Sequence, residues 1–77
     1  MIGAMDHPRI TKSPAVMGGK PCIKGTRIPV EILVDYVASG ESIAAVLEGY
    51  PGLAEADVRA ALAYTADHIR TNGFVAV

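Results

Sequence analysis

GGKPCIKGTRIPV, residues Gly18 to Val30, decides how the chain is read. Its thirteen positions hold two prolines, three glycines, three cations and the chain's single cysteine. Helices tolerate neither this much glycine nor this much proline. A flexible linker would not carry Ile23, Ile28 and Val30, which favour burial. The stretch therefore predicts an ordered, basic, non-helical arm. Cys22-Ile23 and Arg27-Ile28 flank Lys24-Gly25-Thr26, which reads as two short strands around a tight turn, with Gly25 supplying the unusual backbone angles. Arg9-Ile10-Thr11 is a further short strand candidate, and SPAVMGGKP between them is turn chemistry. The arm covers 9–29, behind a start at 1–8 that is expected to be disordered.

Three helices follow. Pro29 suits a helix start, and the first helix is placed at 30–39. Val30, Leu33, Val34 and Val37 recur at i, i+3, i+4 and i+7, one apolar stripe. Ile32 and Tyr36 form a second stripe, so coverage on two sides is expected. Gly40 ends this helix. Ser42 caps the second, placed at 42–50, where Ile43, Val46, Leu47 and Tyr50 repeat the stripe. Ala45 stands where a capping-box Glu or Gln would reach back. The third and longest helix is placed at 54–71, with Glu55 and Asp57 in the first turn, where the helix dipole favours acids. Val58, Ala61, Leu62, Thr65 and Ile69 are its expected buried face. Residues 73–77 form an apolar tail whose Phe74, Val75 and Val77 are candidates for a dimer or partner contact.

Seventy-seven residues make one domain. A chain this small buries only about 60% of its unfolded surface, so pairing with a second copy is an expected way to bury more. No secretory or membrane segment is legible, and one cysteine makes neither a disulfide framework nor a zinc site. A reducing cytoplasm is the expected location. The net charge of −1 conceals polarity. Residues 1–29 carry five cations against one acid, a net +4; residues 30–77 carry two against seven, a net −5. Such a basic end expects an anionic partner, nucleic acid or an acidic protein surface, or attraction to the chain's own acidic end.

Catalytic constellations are absent from the sequence. The Gly19-Lys20 pair lacks the rest of a phosphate-binding loop: Pro14 stands at the first glycine position and Pro21 where Ser or Thr must follow the lysine. His7 and His68 lie in no local carboxylate or thiol pattern, and Cys22 reads as a small buried filler. The chain is read as a non-enzyme with no cofactor or metal. A helix-turn-helix reading is invited by the second and third helices, although Glu55, Asp57 and a lone Arg59 make an acidic start for a DNA-reading helix.

The run from about Ile10 to His68 resembles the family called domain of unknown function 433. The resemblance rests on Gly18, Gly19, Lys20, Pro21, Ile23, Gly25, Thr26, Arg27, Ile28, Pro29 and Val30, then on Ser42-Ile43, Tyr50-Pro51 and Asp57-Val58-Arg59-Ala60-Ala61-Leu62. Departures are Ala44 and Ala45, where acids are usual, and Ala54 at the third helix cap. The resemblance implies a mainly α fold, a three-helix homeodomain-like or winged helix-turn-helix domain with a short N-terminal β arm, filling 9–72. It also implies a VapB-like antitoxin of a type II toxin–antitoxin pair, with a PIN-like ribonuclease toxin as partner. Repression of its own operon through operator DNA is expected with that role, and a homodimer is expected from the apolar tail and small core. The alternatives are a stand-alone DNA-binding regulator and an interaction module that binds no nucleic acid. PIN-like nucleases hold metal ions with clustered carboxylates, which a basic arm suits by charge-assisted pairing. The candidate DNA- or toxin-binding residues are Lys20, Lys24, Thr26, Arg27 and Arg59. Arg27 is the strongest of them, because it sits between Gly25 and Pro29 and its planar fork binds carboxylate or phosphate bidentately. The alternative for Arg27 is an internal pair with an acid such as Glu31.

Overall fold

The computed structural model describes residues 7–72, and of Asn72 only the backbone. The chain is mainly helical, with two short strands, β1 (Ile10–Thr11) and β2 (Cys22–Ile23), and three helices, α1 (Val30–Ala38), α2 (Ile43–Gly49) and α3 (Glu55–Asn72).

The sheet pairs differently from the sequence expectation. β2 pairs antiparallel with β1, Ile10 opposite Ile23 and Thr11 opposite Cys22, rather than with Arg27-Ile28. The reason lies in Thr26. Its hydroxyl donates to Ile23 O at 2.7 Å and accepts from Ile28 N–H at 3.0 Å, so a side chain takes up backbone groups that a hairpin ladder would need. The segment after Gly25 returns through single contacts, Ile23 N–H to Ile28 O and a lone bridge between Cys22 and Pro29. Gly25 has φ +80°, a region where a β-carbon is strained.

α1 ends in a six-residue Schellman closure. Gly40 at φ +102° donates to Val37 O, and Glu41 N–H donates to Tyr36 O. Ser42 caps α2 by accepting from Ala45 N–H at 3.1 Å. Ala54 cannot cap α3 with a side chain, and Asp57 compensates from inside the first turn: its Oδ2 accepts from Ala54 N–H at 2.9 Å. This is the reciprocal half of a capping box, made without its first half. The same carboxylate takes Arg9 on Oδ1 at 2.9 Å, tying the arm to α3.

The core is Ile23, Val30, Leu33, Val46, Leu53, Val58 and Ala61, with Ile10, Ile28, Val34, Val37, Ile43, Leu47, Tyr50 and Tyr64 packed against it. Cys22 is buried beside it, its thiol directed to Lys20 O. Leu33, Val58 and Ala61 are fully buried where α1 crosses α3. Two expected core positions are instead exposed. Ile69 keeps 44% of its surface and Tyr36 42%. An 18-residue helix is about 27 Å long and α1 about 14 Å, so the C-terminal third of α3 runs past the element that covers it. Tyr36 instead meets Tyr50 at the end of α2.

The expectation of disorder over 1–8 is corrected at its end. His7 Nε2 meets Asp67 Oδ2 at 2.7 Å, and its ring lies edge-on to Tyr64. Residues 1–6 and the tail residues Phe74, Val75 and Val77 lie outside the described residues.

Asp57 makes stability depend on acidity. The Ala54 N–H bond first, and the Arg9 guanidinium after it, hold its carboxyl below the usual value of 3.8, against an opposing effect of desolvation. A depressed carboxyl contributes stability that is complete above the unfolded value and is lost as pH falls through the folded one. Thermal melts of Asp57→Asn should therefore sit below the parent at neutral pH and converge on it below pH 3.8. A constant gap across that range would remove Asp57 from the acid response.

Candidate functional site

The Ile23–Ile28 turn is the most tightly tied part of the arm. Besides the Thr26 bonds, Lys24 N–H donates to Arg9 O at 2.8 Å and Thr26 N–H to Ile23 O at 3.0 Å. Two residues on, Val30 N–H donates to Pro21 O at 2.9 Å and fixes the turn to the start of α1. On this platform Lys24 and Arg27 are exposed. Arg27 borders a hollow of about 440 Å³ together with Thr11, Ser13, Val16, Cys22, Gly25 and Thr26.

The other candidates are engaged within the chain. Lys20 Nζ lies 2.7 Å from Glu31 Oε2, and that carboxylate raises the lysine pKa by hydrogen bond and charge. Glu31 is thus taken by Lys20 and not by Arg27. Both side chains are more than half exposed, so this pair adds little stability. Arg59 is bound to Glu55 one turn back on α3. Thr26 works inward, as a strut of the turn.

Pairing leaves a remainder with a clear geography. Arg9, Lys20, Arg59 and Arg70 are matched by Asp57, Glu31, Glu55 and Asp67. Among the described residues, the lysines and arginines without an acid are Lys12, Lys24 and Arg27, all in the arm, and the acids without a cation are Asp35, Glu41 and Glu48, all on α1, α2 and the link between them. Sequence totals show the polarity. Which charges survive pairing depends on tertiary distances, such as the 48-residue separation of Arg9 and Asp57.

Sequence reasoning also missed an aromatic groove between α1 and α2. Tyr36 and Tyr50 meet edge-on with centroids 6.1 Å apart. Two hollows adjoin them, one lined by Ile32, Asp35 and Ser39, the other by Glu41, Ala45, Val46 and Gly49. Tyr36 beside it, and then burial, push the Tyr50 phenol above its usual 10.0, so the ring stays neutral and the groove's charge comes from Asp35 and Glu41. Both tyrosines were legible only as members of helix stripes.

A separate hollow of about 290 Å³ lies between arm, α1 and α3, floored by Val30, Val34 and Tyr64 and rimmed by Lys12, Glu31, Asp35 and His68. It holds none of the turn's cations. No set of three or more His, Cys, Asp or Glu among the described residues could hold a metal ion. No helix among them is long and apolar enough to cross a membrane.

Comparison with known proteins places this architecture. A family model described as protein of unknown function (DUF433) matches residues 10–65. Uncharacterized protein y4eO of Sinorhizobium fredii (strain NBRC 101917 / NGR234) is 40% identical over 55 residues, 71% of this chain. The chain spans only 25% of that relative's length. The crystal structure of a DUF433 member protein from Anabaena variabilis ATCC 29413 superposes with a TM-score of 0.75 at 38% identity, over 82% of this chain and 62% of that one.

Proposed function

The chain belongs to the DUF433 family, and from that premise we propose that it is the antitoxin of a type II toxin–antitoxin pair, a binding protein that inhibits a PIN-like ribonuclease through its basic turn. The observation that carries this reading is the pair Lys24 and Arg27, exposed and without an acid partner among the described residues, on a turn held by five hydrogen bonds around it. Free charges on a rigid support bind an anionic partner with little ordering cost. A nuclease centre built from clustered carboxylates is such a partner, and an arginine fork binds carboxylates bidentately.

Operator binding follows in the same reading. In this reading α2 and α3, joined through residues 50–54, serve as the two helices of a helix-turn-helix. The first turn of α3 offers Glu55 and Asp57, and Arg59 is already bound to Glu55, so this surface is poorly suited to reading bases. DNA affinity is therefore assigned to the arm's phosphate contacts by Lys12, Lys24 and Arg27, and it should fall steeply with salt. Cytoplasmic location and a homodimeric working form belong to the same proposal.

The test is co-expression with the product of the adjacent open reading frame, tagging only that neighbour. Stoichiometric co-purification and rescue of growth are expected. Failure of both, with the chain folded, would overturn the antitoxin reading for that neighbour.

A further inference from the structure

Among the described residues, the charges left over after internal pairing include a cationic patch and an anionic one. The cationic patch is the Lys24–Arg27 turn. The anionic one is the groove of Tyr36 and Tyr50, whose charged lining residues are Asp35 and Glu41. Lining residues of that groove include no lysine or arginine. Aromatic faces between free carboxylates make a receptor for a guanidinium or ammonium group: the ring attracts the cation, and the carboxylates accept its N–H donors.

We propose that this groove is a second binding surface, and that its occupant is the Lys24–Arg27 turn of a second copy of the chain. The argument is charge complementarity. The turn's two cations, Lys24 and Arg27, match the groove's two carboxylates, Asp35 and Glu41, and Arg27 has the shape that stacks on tyrosine while forking to a carboxylate. Each copy offers both patches, so two reciprocal contacts can close a two-fold dimer. A 77-residue domain with exposed Tyr36 gains covered surface in the same step. The inference rests on reading the turn as the anion-seeking element, and it adds a regulation: the turn cannot sit in the groove and on a toxin or DNA at once. Self-association and partner capture therefore compete.

Sedimentation equilibrium at low salt tests this with two double variants. Asp35→Asn/Glu41→Gln removes the groove's charge and leaves the turn. Lys24→Ala/Arg27→Ala does the reverse. All four positions are exposed, so both variants should melt like the parent. The parent is expected to form a dimer that weakens at about 0.5 M salt, where charges are screened beyond roughly 4 Å. Each variant alone should associate at least about tenfold more weakly, a loss of one 1.4 kcal/mol step. Their equimolar mixture should associate more tightly than either alone, because one intact turn–groove contact remains. A parent that is monomeric, a dimer untouched by the groove variant, or a mixture no tighter than its components would overturn the proposal. Capture of the neighbouring gene product separates it from the functional reading. The groove variant should still bind that product, and more readily than the parent. Loss of capture in the groove variant with unchanged self-association would assign the groove to the toxin and sink the dimer contact.

Discussion

Leu33→Ala should lower the unfolding free energy by about 3 kcal/mol, within the range found when a fully buried leucine is truncated and the site does not collapse. Leu33 is 0% exposed and lies between α1 and α3 beside Val58 and Ala61, which are equally buried. A domain of 77 residues has roughly 4–12 kcal/mol to lose. In so small a domain each kcal/mol moves the midpoint about 4–8 °C, so a fall of roughly 12–24 °C is expected. Urea unfolding should show a lower midpoint with an unchanged slope. Ile69→Ala is the matched control. Its side chain was expected in the core and is 44% exposed, so its loss should stay within about 0.5 kcal/mol. Equal effects at the two positions would mean that α1 and α3 do not cross as described.

Lys24→Ala/Arg27→Ala should weaken capture of the proposed toxin partner by about 30-fold or more, since truncating one side of a desolvated charge pair costs about 2–5 kcal/mol. The melting temperature should move by no more than about 4 °C, because both side chains are exposed and neither has an acid partner among the described residues. Titration of the purified toxin followed by calorimetry reads the first quantity, and circular dichroism the second. Arg27→Lys keeps the charge and loses the planar fork, so an intermediate loss is expected if the contact is bidentate. Lys20→Ala supplies the contrast. That side chain is spent on Glu31, and its removal should cost less than Arg27→Ala alone. Unchanged affinity in the double variant would remove the turn from the interface.

Much of the helical part was legible before any coordinates. α1, α2 and α3 follow from local rules: a stripe at i, i+3, i+4 and i+7, a serine cap, and a glycine in the left-handed region after the last turn. The arm was legible as ordered and basic, because glycine and proline exclude a helix while isoleucines demand burial. Its pairing was not. Cys22-Ile23 had two partners with similar propensity, Ile10-Thr11 and Arg27-Ile28, and a threonine hydroxyl decided between them. Ile69 was misread because periodicity reports which face of a helix is apolar and says nothing about how far its cover extends.

For the candidate site, sequence alone determined that one end of the chain is basic and the other acidic, that Gly25 bends the arm, and that Lys24 and Arg27 flank the bend. Tertiary structure alone decided that Lys20 and Arg9 are consumed by Glu31 and Asp57, whereas Arg59 and Glu55 pair one helical turn apart on α3. It also brought Tyr36 of α1 against Tyr50 at the end of α2, and His7 onto Asp67 across 60 residues. The physical reason is the range of the forces. Backbone propensity and capping act over one helical turn and are written locally. An ion pair needs its atoms within about 4 Å, and for Arg9, Lys20 and His7 only the docking of the N-terminal segment on α1 and α3 sets that distance.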